Sequence, residues 1–388
     1  MMRVPIYLDY NASTPTAPEA VQAMLPYLTE HYGNPSSNHP YGWAADEAVE
    51  QARERVAGLL GAEMRAVHFT SGATESISLA LIGAGAVYGG RKHHVVTIAT
   101  EHKAVLETCA AMERDGFMVT VLPVRRDGTL DLDLLRDTVT DKTMAVAAMW
   151  ANNETGVIHP IAEIAEIAHA EGALMFTDAT QAVGRVPVDV RAAGVDLLAL
   201  SGHKLYAPKG VGALFVRRRG PRVRVSPLVY GGGHEEGLRS GTPNVPGIVA
   251  LGAAAELAAN RLDGDADRLS ALRDRLERDL AARLDGVHVN TGTALRLPNT
   301  SSVRFDGVPP GRLVTALRGL AVSAGSACQA RSAQPSHVLA AMGMGREAAL
   351  QSVRFSLGRP TTESDIANAV EEVVQAVHGL RTRAAAAA

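Results

Sequence analysis

The stretch LALSGHKLYAPKGVG, residues 198–212, joins an apolar run to a loop punctuated by glycine. Its apolar part is typical of a buried strand, and Lys204 lies just beyond the end of that strand. An ammonium group is costly to bury unless it is paired, neutralised or chemically engaged. The stretch therefore predicts that another component of the site engages Lys204.

Apolar, β-branched runs like this one recur along the chain. We predict strands over 66–70, 94–100, 118–124, 144–150, 173–179, 195–201 and 212–218. Helical patterns lie between most of them, as in 75–87, 103–116 and 161–172. Alternation of strand and helix is typical of an α/β fold in which helices cover both faces of a mainly parallel sheet. The pattern therefore predicts seven strands in one such sheet.

The pattern changes after about residue 245. Long helices are predicted over 247–262 and 266–284, followed by strands over 300–306, 320–326 and 352–358. At about one domain per ~150 residues, a chain of 388 residues is expected to form two or three domains. We therefore predict a large domain over 15–256 and a smaller α+β domain formed by 1–14 and 257–388.

Composition excludes several classes of protein. Hydrophobic residues make up 46% and charged residues 20%, which is typical of a globular protein. The formal net charge of -3 gives no general attraction to nucleic acid or to an anionic membrane. No apolar run reaches the length of a membrane span, and the N-terminus lacks a signal-peptide core. The expected location is the cytoplasm.

The chain has two cysteines, Cys109 and Cys328, in dissimilar settings. Their separation suggests neither a disulfide framework nor a metal site. Cys109 lies in a helical pattern and is expected to be a small core residue. Cys328 lies in a run of small and polar residues, about 323–336, which predicts a mobile exposed loop.

Polar residues cluster just after the predicted strands, where functional residues of open α/β sheets gather. Taken singly, each has a structural explanation, such as a helix cap, a turn or a hydrogen-bonding histidine. Taken together, they match the needs of pyridoxal phosphate, which are a Schiff-base lysine, a carboxylate facing the ring nitrogen, a phosphate cradle and a flat partner. Residues that fill these needs are Lys204, Asp178, Thr74 with Ser201 and His203, and His102.

Eight short motifs carry a resemblance to a known family. They are YLDYNASTP, FTSGATES, TEHKAV, NNETG, DATQAVG, SGHKLYAPKGVG, RSGTPNV and SAGSACQAR, in that order. From about residue 6 to about residue 370 the chain resembles the cysteine desulfurases, within the class V aminotransferase group of fold-type I pyridoxal phosphate enzymes. The resemblance implies that fold, with a large α/β domain and a smaller α+β domain.

The family pattern also implies roles for single residues. It makes Lys204 the Schiff-base lysine, Asp178 the partner of the pyridine nitrogen and His102 the ring-stacking residue. Gln181 would donate a hydrogen bond to the phenolic oxygen of the ring. The remaining cofactor contacts implied are Asn153, Ala73, Thr74, Ser201 and His203, with Thr242 reaching across from a second subunit.

Arg354 and Asn153 match the residues that hold the substrate carboxylate. Arg359 is a competing choice, and the residues alone do not separate it from Arg354. Cys328 matches the catalytic cysteine, which would take sulfur from L-cysteine as a persulfide while alanine is released. His102 would move a proton during these steps.

The resemblance implies a homodimer, because the Thr242 contact requires two subunits to share each site. It also implies a sulfur-acceptor protein, either an iron–sulfur scaffold or a thiolation protein. A selenocysteine lyase or another class V enzyme would use the same cofactor residues. A non-enzymatic module would be expected to lose Lys204 or Cys328, and a cofactor-free aldolase would not need Asp178 or the phosphate cradle.

Overall fold

The computed structural model of the chain describes residues 4–309, 311–324 and 334–387. Its β-strands are β1 (Ile6–Tyr7), β2 (Val67–Thr70), β3 (His94–Ile98), β4 (Met118–Leu122), β5 (Thr143–Ala147), β6 (Leu174–Asp178), β7 (Leu197–Ser201), β8 (Gly212–Val216), β9 (Val287–Val289), β10 (Thr300–Phe305), β11 (Leu320–Ala321) and β12 (Ser352–Ser356). Its α-helices are α1 (Pro18–Met24), α2 (Pro26–Thr29), α3 (Pro40–Leu59), α4 (Ala73–Tyr88), α5 (Lys103–Arg114), α6 (Leu132–Thr138), α7 (Ile161–Ala170), α8 (Val245–Arg283), α9 (Leu313–Ala316), α10 (His337–Ala341), α11 (Arg346–Leu350) and α12 (Glu363–Ala387).

A seven-stranded sheet contains all seven strands predicted before residue 245. Its order is β2-β8-β7-β6-β5-β3-β4. Neighbouring strands from β7 through β4 are parallel, whereas β8 runs antiparallel to both β7 and β2. The prediction of a mainly parallel sheet is therefore confirmed.

Helices cover both faces of this sheet, as strand β7 illustrates. Leu198 and Leu200 join a hydrophobic cluster with residues of α3, α7 and α8. Leu197 and Ala199 join a second cluster with residues of α4 and α5. Because side chains alternate between the two faces of a strand, these clusters lie on opposite faces of the sheet.

The carboxyl ends of β2, β3, β6 and β7 lie along one edge of the sheet, since these strands point the same way. After β7 the chain makes a short 3-10 turn, Gly202–Lys204, and returns as β8. A side chain at Gly212 would lie 2.6 Å from the Cα atom of Gly72 and 2.6 Å from the carbonyl oxygen of Leu200. Glycine at this position thus allows β8 to pack against the turn between β2 and α4.

The rest of the chain builds a second, smaller assembly. An antiparallel sheet has the order β12-β10-β9, and β1 pairs in parallel with β11. The two helices predicted over 247–262 and 266–284 form one helix, α8, of 39 residues. Its first half packs with the large sheet, and its second half packs in a separate cluster with Phe305 and Phe355. The boundary predicted near residue 256 lies inside α8, and the two-domain division stays a prediction.

The segment between β1 and α1 connects the two sheets. Asp9 forms a β-bridge with Ser356 of β12. The amide of Thr14 donates a 2.9 Å hydrogen bond to the carbonyl oxygen of His203, beyond β7. This segment therefore crosses the edge where the strands of the large sheet end. Within the described residues, none of the helices is both long and apolar enough to cross a membrane.

Candidate active site

A cavity of about 440 Å³ lies at the carboxyl edge of the large sheet. Residues of this edge, of the N-terminal segment and of β12 all contribute to its wall. Predicted site residues that line it are Ala73, Thr74, His102, Asn153, Asp178, Gln181, Ser201, His203, Lys204 and Arg354. Folding thus brings together ten residues that the sequence spreads over about 280 positions.

Lys204 ends the 3-10 turn after β7. Its Nζ donates hydrogen bonds of 2.7 Å to the carbonyl oxygens of Asn11 and Ala12. Burial lowers the pKa of Lys204 to about 8, with further lowering from the positive charges of Arg354 and Arg185. A substantial fraction of neutral amine is therefore present near pH 8, as a nucleophile or a base requires.

Asp178 is the last residue of β6 and is 5% exposed. Its Oδ1 accepts a 3.0 Å hydrogen bond from the amide of Thr180. Gln181 donates from Nε2 to the carbonyl oxygen of Asn11 at 3.0 Å, and its Oε1 accepts from Arg185 at 2.6 Å. Arg185 was not predicted, and burial lowers its pKa to about 10.

The two histidines of the cavity are held in the neutral form. His102 caps α5, since its Nδ1 accepts a 3.1 Å hydrogen bond from the amide of Ala104. Burial lowers the pKa of His102, although the negative charge of Asp178 opposes this. Burial and the charges of Lys204 and Lys209 lower the pKa of His203 to about 4.

The turn between β2 and α4 offers donors for an anion. Helix α4 begins at Ala73 and has no side-chain cap at Gly72. The first amides of a helix have no intrahelical partner, and the helix dipole favours negative charge there. Three residues with hydroxyl groups, Ser71, Thr74 and Ser201, also line the cavity. With Lys204 and Asp178 nearby, this set of donors fits a phosphate-bearing aldehyde cofactor such as pyridoxal phosphate.

Arg354 comes from β12 and is 2% exposed. Its guanidinium donates to the carbonyl oxygen of Asn153 at 2.8 Å and to Asp9 at 2.5 Å. Its Nε has no hydrogen-bond partner among the described residues. The competing Arg359 lies outside the cavity, where it pairs with Asp265 at 2.8 Å.

Asn11 links the parts of the site and was not predicted individually. Its carbonyl oxygen accepts from Lys204 and Gln181, while its Nδ2 donates to the carbonyl oxygen of Asn153 at 3.1 Å and to Thr300 at 2.9 Å. It is 1% exposed. The polar string DYNAST, which follows β1, is the signal that could have drawn attention to it.

Glu101 is a second residue that was not predicted, next to His102. It is fully buried and accepts a short hydrogen bond from the amide of Met149. Burial raises the pKa of Glu101 well above its usual range, and the charge of Asp178 raises it further. A buried carboxyl group with a raised pKa therefore lies next in sequence to His102, which lines the cavity.

Among the described residues, one predicted site residue, Thr242, does not line the large cavity. Thr242 lines a smaller cavity of about 120 Å³, which shares Ser71 and Gly210 with the large one. Cys328 and the core of its predicted loop, 325–333, lie outside the described residues.

The described residues on either side of 325–333 contact the site. Ser323 exchanges backbone hydrogen bonds of 2.7 and 3.3 Å with Arg354. On the far side, the hydroxyl of Ser336 donates to the buried carboxylate of Glu154, next to Asn153. Both flanks of the segment that carries Cys328 therefore lie beside cavity residues.

Residues 6–368 match the family described as aminotransferase class-V. The matched residues include all strands of the large sheet and Lys204. A solved structure titled "NifS-like protein" superposes with a TM-score of 0.90 at 37% identity, covering 98% of this chain and 100% of that one. A second, titled "SspA in complex with cysteine", has a TM-score of 0.80 at 36% identity, covering 90% of this chain and 98% of that one.

Curated relatives narrow the assignment. The chain is 51% identical over 383 residues to the cysteine desulfurase IscS of Anaeromyxobacter sp. (strain Fw109-5), covering 98% of this chain and 94% of that protein. It is 45% identical over 381 residues to the cysteine desulfurase IscS of Rickettsia akari (strain Hartford), covering 98% of this chain and 93% of that protein. The chain belongs to the cysteine desulfurase family, as its motifs predicted.

Proposed function

We propose that this enzyme uses pyridoxal phosphate to take sulfur from L-cysteine, that it releases L-alanine, and that it holds the sulfur as a persulfide on Cys328. One observation carries the proposal. A partly buried lysine with a pKa of about 8 and a buried arginine that can bind a carboxylate line the same cavity. An amino acid substrate needs both groups, one at its reacting carbon and one at its carboxylate.

The residues that would hold the cofactor are those at the ends of the large-sheet strands. Lys204 would bond its aldehyde carbon, Asp178 would pair with its ring nitrogen and His102 would lie against its ring. Pyridoxal phosphate, when bound, supplies an electron sink that makes the α-proton of the substrate acidic. Other proposed contacts are Gln181 and Asn153, and for the phosphate Ala73, Thr74, Ser201 and His203.

Arg354 would bind the substrate carboxylate with two parallel hydrogen bonds, which fixes the orientation of the Cα–H bond. Asn153 contributes at the same position, since its carbonyl oxygen already accepts from the Arg354 guanidinium. The Nζ atom of Lys204 is then the base that removes the α-proton. Carbonyl oxygens of Asn11 and Ala12 accept from that Nζ, so they stabilise the ammonium once the proton has been taken up.

Sulfur transfer is assigned to Cys328. Its thiolate forms a bond to the substrate sulfur as the carbon–sulfur bond breaks, and the electron pair stays with the substrate carbon. Protonation of that carbon gives the methyl group of alanine. Cys328 follows Ser323 by five residues, a span of at most about 17 Å. Ser323 itself is hydrogen-bonded to Arg354, which lines the cavity.

The proposal includes two partners. An acceptor protein, either an iron–sulfur scaffold or a thiolation protein, would take the persulfide sulfur. A second copy of the chain would place its Thr242 near the cofactor phosphate, so that the working form is a homodimer, with the cytoplasm as its expected location. The solved relative titled as a complex with cysteine supports the choice of substrate.

The test uses the purified protein with pyridoxal phosphate, L-cysteine and a thiol reductant. We expect alanine and sulfide to be released in equal amounts. Without reductant, mass spectrometry is expected to find one additional sulfur atom on Cys328. Absence of alanine would show the proposed function to be wrong, and faster alanine release from selenocysteine than from cysteine would reassign the substrate.

A further inference from the structure

The turn proposed to receive the cofactor phosphate carries a negative charge of its own. Glu75, in the first turn of α4, lines the large cavity together with Thr74 and Ser201. Its Oε2 accepts a 2.8 Å hydrogen bond from the amide of Ser71, so the carboxylate closes the turn. A second anion close to a phosphate group is repelled by it, and more strongly where water is excluded. Some other group must therefore compensate for the charge of Glu75.

Arg239 provides that compensation. Its Nε donates to Oε1 of Glu75 at 2.8 Å, and a second nitrogen lies 3.5 Å from Oε2. The exposed fractions of the two side chains are 26% and 22%. Burial by itself would raise the pKa of Glu75, but the hydrogen bonds from Arg239 and Ser71 outweigh it and lower the pKa. Glu75 is therefore ionised, and its charge is paired.

The loop that carries Arg239 is also fixed at a second point, to helix α3 and strand β2. Glu235 forms two hydrogen bonds with Arg53, of 2.7 and 3.0 Å. It also accepts a 2.9 Å hydrogen bond from the amide of Phe69 in β2. Arg239 lines the smaller cavity, which shares Ser71 with the large one. The loop is thus attached both to strand β2 and to the start of α4.

We propose that Arg239 is a positioning residue that neutralises Glu75, which lets this carboxylate close the turn between β2 and α4 without repelling the cofactor phosphate. The inference rests on the proposed function, since it requires pyridoxal phosphate in the large cavity. It assigns Arg239 no direct contact with cofactor or substrate.

The test measures the dissociation constant of pyridoxal phosphate for the apoprotein by titration of visible absorbance. Arg239→Met leaves Glu75 unpaired and is expected to weaken binding by about tenfold or more, which corresponds to about 1.4 kcal/mol. The double variant Arg239→Met with Glu75→Gln removes both charges, so binding is expected to return to within about threefold of wild type. Because salt screens repulsion, the deficit of Arg239→Met is also expected to shrink as ionic strength rises.

Arg218→Met is the matched control. Arg218 pairs with Glu236 of the same loop at 2.5 Å, but neither residue lines the two cavities. Cofactor binding by this variant is expected to equal that of wild type. Arg239→Lys keeps the positive charge that neutralises Glu75 and is expected to bind pyridoxal phosphate within about threefold of wild type, which provides a second test if Arg239→Met does not fold.

Three results would overturn the inference. One is equal cofactor binding by wild type and Arg239→Met. Another is a double variant as weak as Arg239→Met, because loss of binding would then be independent of Glu75. The third is a tenfold loss in Arg239→Lys. If wild type itself binds no pyridoxal phosphate, the proposed function is wrong and this inference falls with it.

Discussion

The large-sheet edge and strand β12 line the same cavity but offer different chemistry. At the edge, the ends of parallel strands contribute an acid, a base and hydroxyl groups, as Asp178, Lys204 and Ser201 illustrate. Strand β12 contributes Arg354, held by Asp9 and by the carbonyl oxygen of Asn153. The edge is suited to a cofactor with several functional groups, whereas β12 is suited to one carboxylate.

Because the sheet edge and β12 offer different functional groups, we expect cofactor binding and substrate binding to be separable by mutation. Asn11 is where the two regions meet, since its carbonyl oxygen accepts from Lys204 and its amide donates to the hydroxyl of Ser356 in β12. Variants at the sheet edge should change the colour of the protein, and variants in β12 should change substrate affinity alone.

The largest effect is expected for Lys204→Ala at the sheet edge. Because this substitution removes both the proposed cofactor attachment and the proposed base, we expect alanine formation to fall by about 10⁴-fold or more. The protein should bind pyridoxal phosphate poorly, as measured by visible absorbance after desalting. Normal turnover in this variant would show that the large-sheet edge takes no part in the reaction.

Cys328→Ser tests the proposed sulfur-accepting residue. Cysteine should still change the cofactor absorbance, because Lys204 and Arg354 are intact. Alanine formation should fall by at least about 10²-fold, because no thiolate is present to accept the sulfur. Alanine assays and stopped-flow absorbance measure the two steps separately. Detection of the persulfide on Cys109 would refute the assignment.

Arg354→Lys tests β12. A lysine cannot form two parallel hydrogen bonds with a carboxylate. We therefore expect kcat/KM for cysteine to fall, mostly through a higher KM, with a loss of about 2–4 kcal/mol in transition-state stabilisation. Cofactor absorbance should stay normal.

Arg359→Lys is the control for this variant, because Arg359 is also buried in an ion pair but lies outside the cavity. Steady-state kinetics on both variants decide between them. If only Arg359→Lys is impaired, the carboxylate anchor has been assigned to the wrong arginine.

A smaller effect is expected on the pH dependence of apoprotein stability. The pKa of Lys204 is about 8, which lies below the usual lysine pKa of about 10.4. Between these values the native state binds fewer protons than the unfolded chain, so this contribution to stability rises with pH and is lost as pH falls through about 8.

Lys204→Met should remove that contribution. Thermal unfolding of wild type and variant between pH 7 and 10 measures the difference, and two parallel curves would contradict the assigned pKa.

Cys109→Ser should have the smallest effect, because Cys109 belongs to neither region. It is 1% exposed and packs in the cluster formed with α4 and α5. A hydroxyl without a partner in this cluster is expected to cost about 1–2 kcal/mol in the free energy of unfolding, with kcat/KM unchanged. Denaturant unfolding and alanine assays check both statements, and loss of activity at full stability would contradict them.

The sequence by itself determined the α/β class, the seven strands of the large sheet and, with its family motifs, about half of the residues that line the cavity. Each of these predictions rests on a pattern of residues that are close together in the sequence. Apolar runs predict strands, and functional groups gather where parallel strands end, so Lys204, Asp178 and His102 could be found without knowing their neighbours. The family motifs added Arg354, for which the residues alone left Arg359 as an alternative.

Only the tertiary structure decided how these groups are held. Asn11 and Lys204 are 193 residues apart, and Glu75 and Arg239 are 164 apart. A hydrogen bond or ion pair at such a separation leaves no periodic pattern in the sequence, because its partners are fixed by packing.

Helix α8 is another feature that tertiary packing decided and the sequence pattern did not predict. Gly264 suggests a break between two helices, but a glycine costs only about 1 kcal/mol in a helix. Packing of both halves of α8, in two different hydrophobic clusters, outweighs that cost.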